Sequence, residues 1–141
     1  MKNSKGFSLL ELLIVVAIIL IIATIAIPSL LRSRQAANES AAVANLRTIN
    51  TAEVTYLSSS GGNYGSIPGL ISAGLLDETF TGNKAGYSYT VNALGADYTA
   101  EANPISTNTG RYGYYSVPDA VVRYSTTTTL APTGQSGRSV Q

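Results

Sequence analysis

Twenty consecutive residues, Leu12 to Leu31, carry no charge, and all but Thr24, Pro28 and Ser29 are apolar. About 20 such residues are what an α-helix needs to cross ~30 Å of hydrocarbon, and globular core helices rarely run so long without polar positions. The run therefore predicts a membrane-spanning helix near the start of a chain of 141 residues. Ahead of it stands Met1-Lys2-Asn3-Ser4-Lys5-Gly6, with Lys2 and Lys5 as its only charges. Positive charge before a first span holds that end in the cytoplasm and directs the remainder outward. A secretory signal begins the same way, but its apolar region covers ~7–15 residues and ends at a small-x-small cleavage site. Here the run is longer and passes into Arg32-Ser33-Arg34 and an Ala-rich stretch that still reads as helix. The segment is expected to be retained as an anchor.

Composition removes most enzyme classes. Lys and Arg number 9 against 8 Asp and Glu, and only 12% of residues are charged, half of the roughly 25% usual in soluble chains. A net charge of +1 supplies no field to gather nucleic acid or an anionic surface. Lys84, Arg111, Arg123 and Arg138 form no run and match no groove-reading motif, so nucleic acid is not an expected partner. Histidine and cysteine are both absent, which excludes imidazole acid–base chemistry, thiol nucleophiles, thiolate or imidazole metal sites and disulfides. Phosphate-binding Gly-Lys motifs, nucleophile elbows and paired catalytic carboxylates are missing as well. The expectation is a non-enzyme without cofactors.

Glu11 breaks the apolar pattern within Phe7-Ser8-Leu9-Leu10-Glu11-Leu12-Leu13. A charge at the bilayer centre costs at least ~2.5–3.5 kcal/mol on insertion scales, so an acid in a span points to function. The alternative is a position near the helix start, where the macrodipole favours negative charge.

Lys5-Gly6-Phe7-Ser8-Leu9-Leu10-Glu11, followed at once by the uncharged helix, resembles the class III signal of the type IV pilin superfamily. The resemblance implies that a prepilin peptidase cuts between Gly6 and Phe7 on the cytoplasmic side and that the new N-terminal Phe7 is methylated. Glu11 matches the family's acid four residues after that terminus, and Pro28 falls where many of these helices carry a proline. Cleavage would remove Lys2 and Lys5 and expose an α-amino group. That amine and the Glu11 carboxylate are then opposite charges at the same depth. Paired across two subunits, they would offset the cost of burying Glu11 and set the stagger between neighbouring helices. Phe7, Glu11 and Pro28 are thus the expected assembly residues.

Arg32 to Leu57 contains no Gly or Pro. At 100° per residue, Val43, Leu46, Ile49, Val54, Tyr56 and Leu57 fall on one side and Arg47, Thr48, Thr51 and Thr55 on the other, an amphipathic pattern interrupted by Asn50 and Glu53. One helix from Phe7 to Ser58 would be about 78 Å long, with a kink or local melting expected at Pro28. Ala36, Ala37, Ala41, Ala42 and Ala44 either permit close helix approach or simply raise helix propensity. Ser58-Ser59-Ser60-Gly61-Gly62 ends the helix, and a short helix is expected near Pro68–Leu76. The period then changes to two over residues 87–91, 96–102, 111–117 and 120–124, four short strands with a hairpin at Asn92-Ala93-Leu94-Gly95. Most of the nine tyrosines lie in these strands and read as sheet core.

The expected fold is α+β: a long N-terminal helix, half transmembrane and half amphipathic, packed on a small four-stranded antiparallel sheet that is too small to stand alone. Its organisation is a cleaved leader 1–6, an assembly helix 7–31, an amphipathic helix 32–58, a connecting loop 59–85, a sheet domain 86–125 and a flexible Thr/Ser-rich tail 126–141. Gly86-Tyr87-Ser88-Tyr89, Tyr98-Thr99-Ala100 with Pro104, and Thr109-Gly110-Arg111 followed by Val122-Arg123-Tyr124 look like the globular domain of compact pilins and major pseudopilins. The chain departs from many type IVa pilins in lacking the cysteines of a C-terminal disulfide. It departs from calcium-binding pseudopilins because Asp97, Glu101 and Asp119 are few and scattered. The resemblance implies a pilus subunit that waits in the bacterial inner membrane, meets prepilin peptidase and an assembly platform there, and ends in an extracellular homopolymer. A pseudopilin of type II secretion in a periplasmic pseudopilus, or a membrane-anchored surface protein that never polymerises, are the alternatives.

Overall fold

A computed structural model describes residues 6–125 and 136–140. Helix α1 (Leu9–Ser59) runs through Pro28 without an interruption of helical structure, so the local melting expected there is not seen. The proline still lacks an N–H and leaves the Thr24 carbonyl without its usual donor. The helix ends where Gly61 and Gly62 adopt positive φ (73° and 93°), a conformation that costs glycine little. The chain divides into two compact units, Met1–Ser33 and Arg34–Gln141.

The described part of the first unit consists of α1 and its lead-in, and it has no core. None of its residues is buried. The second unit holds the rest of α1, a short helix α2 (Ile67–Ser72), a 3₁₀ turn (Glu78–Thr81) and six strands: β1 (Asn83–Lys84), β2 (Tyr87–Leu94), β3 (Asp97–Pro104), β4 (Tyr114–Ser116), β5 (Arg123–Tyr124) and β6 (Arg138–Ser139). They form one antiparallel meander in sequence order.

The α+β architecture is as expected, but the sheet has six strands and not four. The two additional strands are both pairs of residues at the edges, too short to show any alternation. Strand β1 pairs with β2 across Ala85 and Gly86, both at positive φ (53° and 77°), which fits a type I′ hairpin turn. Strand β6 lies inside the expected tail, of which residues 126–135 and 141 fall outside the described residues. The long hairpin turns at Gly95-Ala96, two residues later than expected, with Leu94 opposite Asp97. Residues 111–113 and 120–122 belong to loops and not to the strands expected there.

Those loops stay on the molecule because α1 binds them. Leu46, Ile49 and Ala42 are fully buried with Leu70, Tyr87, Tyr98 and Ala100 in the core. Polar residues of the same helix edge that core. Gln35 and Asn38 donate to the carbonyls of Thr107 and Thr109 at 2.7 and 2.8 Å. Glu39, itself buried, takes the Arg111 guanidinium through two bonds of 3.0 and 2.8 Å and the Arg111 amide at 2.9 Å. This geometry raises the Arg111 pKa, chiefly through the hydrogen bonds and then through the carboxylate's charge. Asn45 donates to the Tyr89 hydroxyl at 2.8 Å, and Asn50 accepts from the Tyr98 hydroxyl at 2.8 Å while donating to the Ala120 carbonyl at 3.3 Å. Glu53 accepts the Gly65 amide at 2.9 Å. Asn50 and Glu53, the two interruptions of the apolar stripe, are therefore hydrogen-bonded within the core. A close approach at Gly110 completes the fit, because a Cβ there would run into the Tyr87 ring and hydroxyl.

Replacing Arg111 by Ala should strand the buried Glu39. Loss of a partner from a buried pair costs ~3–5 kcal/mol; with Arg111 half exposed, about 2 kcal/mol is expected. Urea unfolding of the full chain in detergent, followed by tyrosine near-ultraviolet dichroism, measures the loss. Glu53 makes a separate prediction. It is fully buried, one of its oxygens has no partner, and burial raises its pKa more than the Gly65 amide lowers it. The folded state thus keeps a proton that the unfolded chain releases. Stability is fully present below the ordinary value of 4.5 and falls as pH rises from there through the raised folded pKa. Glu53→Gln should abolish that slope in urea midpoints taken across the same pH series; an unchanged slope would assign it to another group.

Candidate processing and assembly site

Gly6, Phe7 and Ser8 precede α1 in non-helical conformation. Nothing lies within 4 Å of a Cβ placed on Gly6, so no contact within the fold demands glycine there. Phe7 is 85% exposed. The Gly6–Phe7 peptide bond consequently sits outside the helical hydrogen-bond ladder, on an uncovered stretch of backbone.

The helix start is organised by Ser8 and Glu11. Ser8 Oγ accepts the Leu10 amide at 3.3 Å, and Glu11 Oε2 accepts the Ser8 amide at 3.0 Å. This is a reciprocal capping box, which satisfies two of the donors that a helix N-terminus leaves free. Glu11 is exposed and stands in the first turn, where the macrodipole favours its charge. Both interpretations of Glu11 drawn from the sequence therefore concern one and the same carboxylate. Ser8 is not among the assembly residues expected from the sequence, yet Ser8-Leu9-Leu10-Glu11 ahead of an apolar run is the sequence signature of the box.

From Leu12 to Leu31 the helix offers a surface that is apolar apart from Thr24, Pro28 and Ser29. Leu12 to Leu30 includes thirteen large hydrophobic side chains, each between 48% and 74% exposed. The window of highest hydropathy averages 3.1 and is entirely uncovered, and α1 is long and apolar enough to cross a membrane. Thr24, the polar side chain in mid-run, donates its hydroxyl to the Ile21 carbonyl at 2.7 Å and so presents no unsatisfied donor to an apolar medium. Pro28 lies about five turns beyond Glu11, so the structure brings Gly6, Phe7, Ser8 and Glu11 together and leaves Pro28 apart.

Among the described residues no cluster of acids is placed to hold a metal ion. Asp119 is engaged by the Arg123 guanidinium and the Val121 amide, and these hydrogen bonds, the arginine's first, hold its carboxyl below the usual range.

Comparison with known proteins gives one family match and two relatives. The family model for the prokaryotic N-terminal methylation motif matches residues 1–27. The chain is 41% identical over 75 residues to the type IV wide pilus major component PilA4 of Thermus thermophilus, across 53% of this chain and 57% of that protein. It is 43% identical over 56 residues to the type IV major pilin protein PilA of Myxococcus xanthus, across 40% of this chain and 26% of that one. It thus spans a little over half of the first relative and about a quarter of the second. No solved structure matches it. The chain carries a prepilin-type N-terminus, and its resemblance to type IV pilins holds both in the motif and in these two relatives.

Removing the Ser8 hydroxyl should fray the helix start. Loss of a cap costs ~1 kcal/mol, so hydrogen exchange at the Leu10 amide in micelles is expected to speed up about fivefold in Ser8→Ala. An unchanged rate would mean that Glu11 alone holds the first turn.

Proposed function

We propose that this chain is a structural subunit of a type IV pilus and not an enzyme. The observation that carries the proposal is a capped, wholly uncovered apolar helix bearing the methylation motif at its start. In the membrane, lipid covers that surface, with the basic leader in the cytoplasm and the sheet domain outside. Prepilin peptidase hydrolyses the Gly6–Phe7 bond, and the new Phe7 amine is methylated. An assembly platform in the inner membrane then transfers the subunit from lipid to polymer, where the same apolar surface packs against other copies of the helix. The leader's lysines are gone at that stage, and the Phe7 amine of one subunit pairs with the Glu11 carboxylate of its neighbour. Pairing compensates the burial of Glu11 and fixes the stagger. Pro28 serves the same packing by loosening one turn of the helix. The names of the two relatives, both pilus components, favour the surface pilus over a secretion pseudopilus.

Mass spectrometry and electron microscopy of filaments sheared from the producing cell test the proposal. Long filaments whose chain begins at methylated Phe7 are expected. A processed chain confined to the membrane fraction would point to a pseudopilus, and an intact Met1 would count against both filament readings. Glu11→Gln separates charge from capping, since glutamine can still accept the Ser8 amide. This variant should be processed normally yet yield at least about tenfold less filament, consistent with an unpaired buried amine. Normal assembly of Glu11→Gln would remove the charge pair from the mechanism.

A further inference from the structure

Two exposed features of the Arg34–Gln141 unit lack a complement among its described residues. The first is the tip of the β2–β3 hairpin. Leu94 there is 81% exposed, and Asp97, directly opposite it in register, is exposed as well. Asp97 accepts the Tyr98 amide at 2.8 Å and takes part in none of the three ion pairs among the described residues. The second is a groove of about 400 Å³ along α1, lined by Arg47, Asn50, Thr51, Val54, Thr55 and Ala120. Val54 is 53% exposed within it. The Thr51 and Thr55 hydroxyls donate to the carbonyls of Arg47 and Thr51 at 3.0 and 2.9 Å, so a partner that dries this groove strands neither of them. Arg47 is exposed and, like Asp97, belongs to none of those ion pairs. One surface is an apolar knob beside an anion; the other is a partly apolar hollow beside a cation.

We infer that the hairpin tip of one copy docks into the α1 groove of a second copy, Leu94 against Val54 and Asp97 against Arg47. The occupant is another copy of this chain because the knob and the groove carry complementary charges on separate surfaces. Such a contact is heterologous: each added copy leaves a free knob at one end and a free groove at the other, so it propagates along an open helical polymer. A single knob is too small to hold two proteins together by itself. It acts once the apolar helices have brought the copies side by side at high effective concentration. The inference rests on the filament reading and adds to it a contact outside the apolar helices, one that selects neighbours by charge.

The absence of cysteine makes the contact directly testable in the full chain. In filaments of the double variant Leu94→Cys with Val54→Cys, mild oxidation should produce a ladder of disulfide-linked multimers, whereas each single variant should give none. Arg47→Asp and Asp97→Arg alone should each lower filament yield about tenfold, and their combination should restore it to within about twofold, because the charges are exchanged and not lost. Equal amounts of processed chain and unchanged tyrosine dichroism confirm that each variant is folded. Intact filaments without a ladder, or a combined charge variant no better than the singles, would overturn the inference and leave the pilus subunit standing. A wild-type chain that is processed but forms no filament would overturn the filament reading, and this contact with it.

Discussion

The apolar half of α1 has nothing within its own unit to bury against, and the organisation of the protein follows from that shortage. Thirteen large side chains between Leu12 and Leu30 are uncovered at once, a surface tolerable in lipid or against other helices and not in water. The few polar groups on this stretch are arranged for such surroundings. Thr24 returns its hydroxyl to the helix backbone, and Glu11 is placed in the first turn, where it caps amides and meets the positive end of the dipole. A carboxylate in the middle of the run would have neither support. In the proposed filament the same carboxylate, already oriented by Ser8, meets the amine created by cleavage.

The second half of α1 faces a different problem. A sheet with three strands of two residues and one of three cannot form a core alone, and its long connections carry backbone groups that require partners. The helix supplies both needs. Its apolar positions make the floor of the core, and Gln35, Asn38, Glu39, Asn45, Asn50 and Glu53 bind the loops and tyrosine hydroxyls around it. Burial raises the pKa values of Tyr87, Tyr98 and Tyr114; of these, Tyr87 donates its hydroxyl to the Tyr112 carbonyl and Tyr98 to Asn50. Glu53 differs from its neighbours on the helix: its second oxygen has no partner, and burial raises its pKa.

How much of this was legible beforehand depended on how local each feature was. The apolar run, the Gly6-Phe7 junction, Glu11 and the end of α1 at the serine and glycine pairs are short-range patterns, and they could be placed from the residues alone. Long strands β2 and β3 were equally visible through their alternation. Strands of two residues have no period to detect, which is why β1 and β6 did not appear in the pattern. Arg111-Tyr112-Gly113 alternates like a strand, yet Arg111 is drawn to Glu39, 72 positions away, and the segment becomes a loop. Asn50 and Glu53 looked like flaws in an apolar stripe because their partners lie in distant loops.

The sequence by itself determined that the chain starts with a membrane-length helix, that its chemistry excludes histidine, cysteine and disulfide functions, and that a processing motif stands at its N-terminus. These are properties of neighbouring residues and of composition. Tertiary structure alone decided the rest: that Glu11 and Ser8 cap one another, that the polar residues of the amphipathic half are fasteners, that Gly110 makes room for Tyr87, and that Leu94 with Asp97 and Val54 with Arg47 form two unmatched surfaces. The fasteners and the fit at Gly110 depend on atoms brought together by folding from positions that local patterning does not relate. The Ser8–Glu11 box and the pairs Leu94–Asp97 and Arg47–Val54 are close in sequence, and there only the structure established what each residue contacts or leaves exposed.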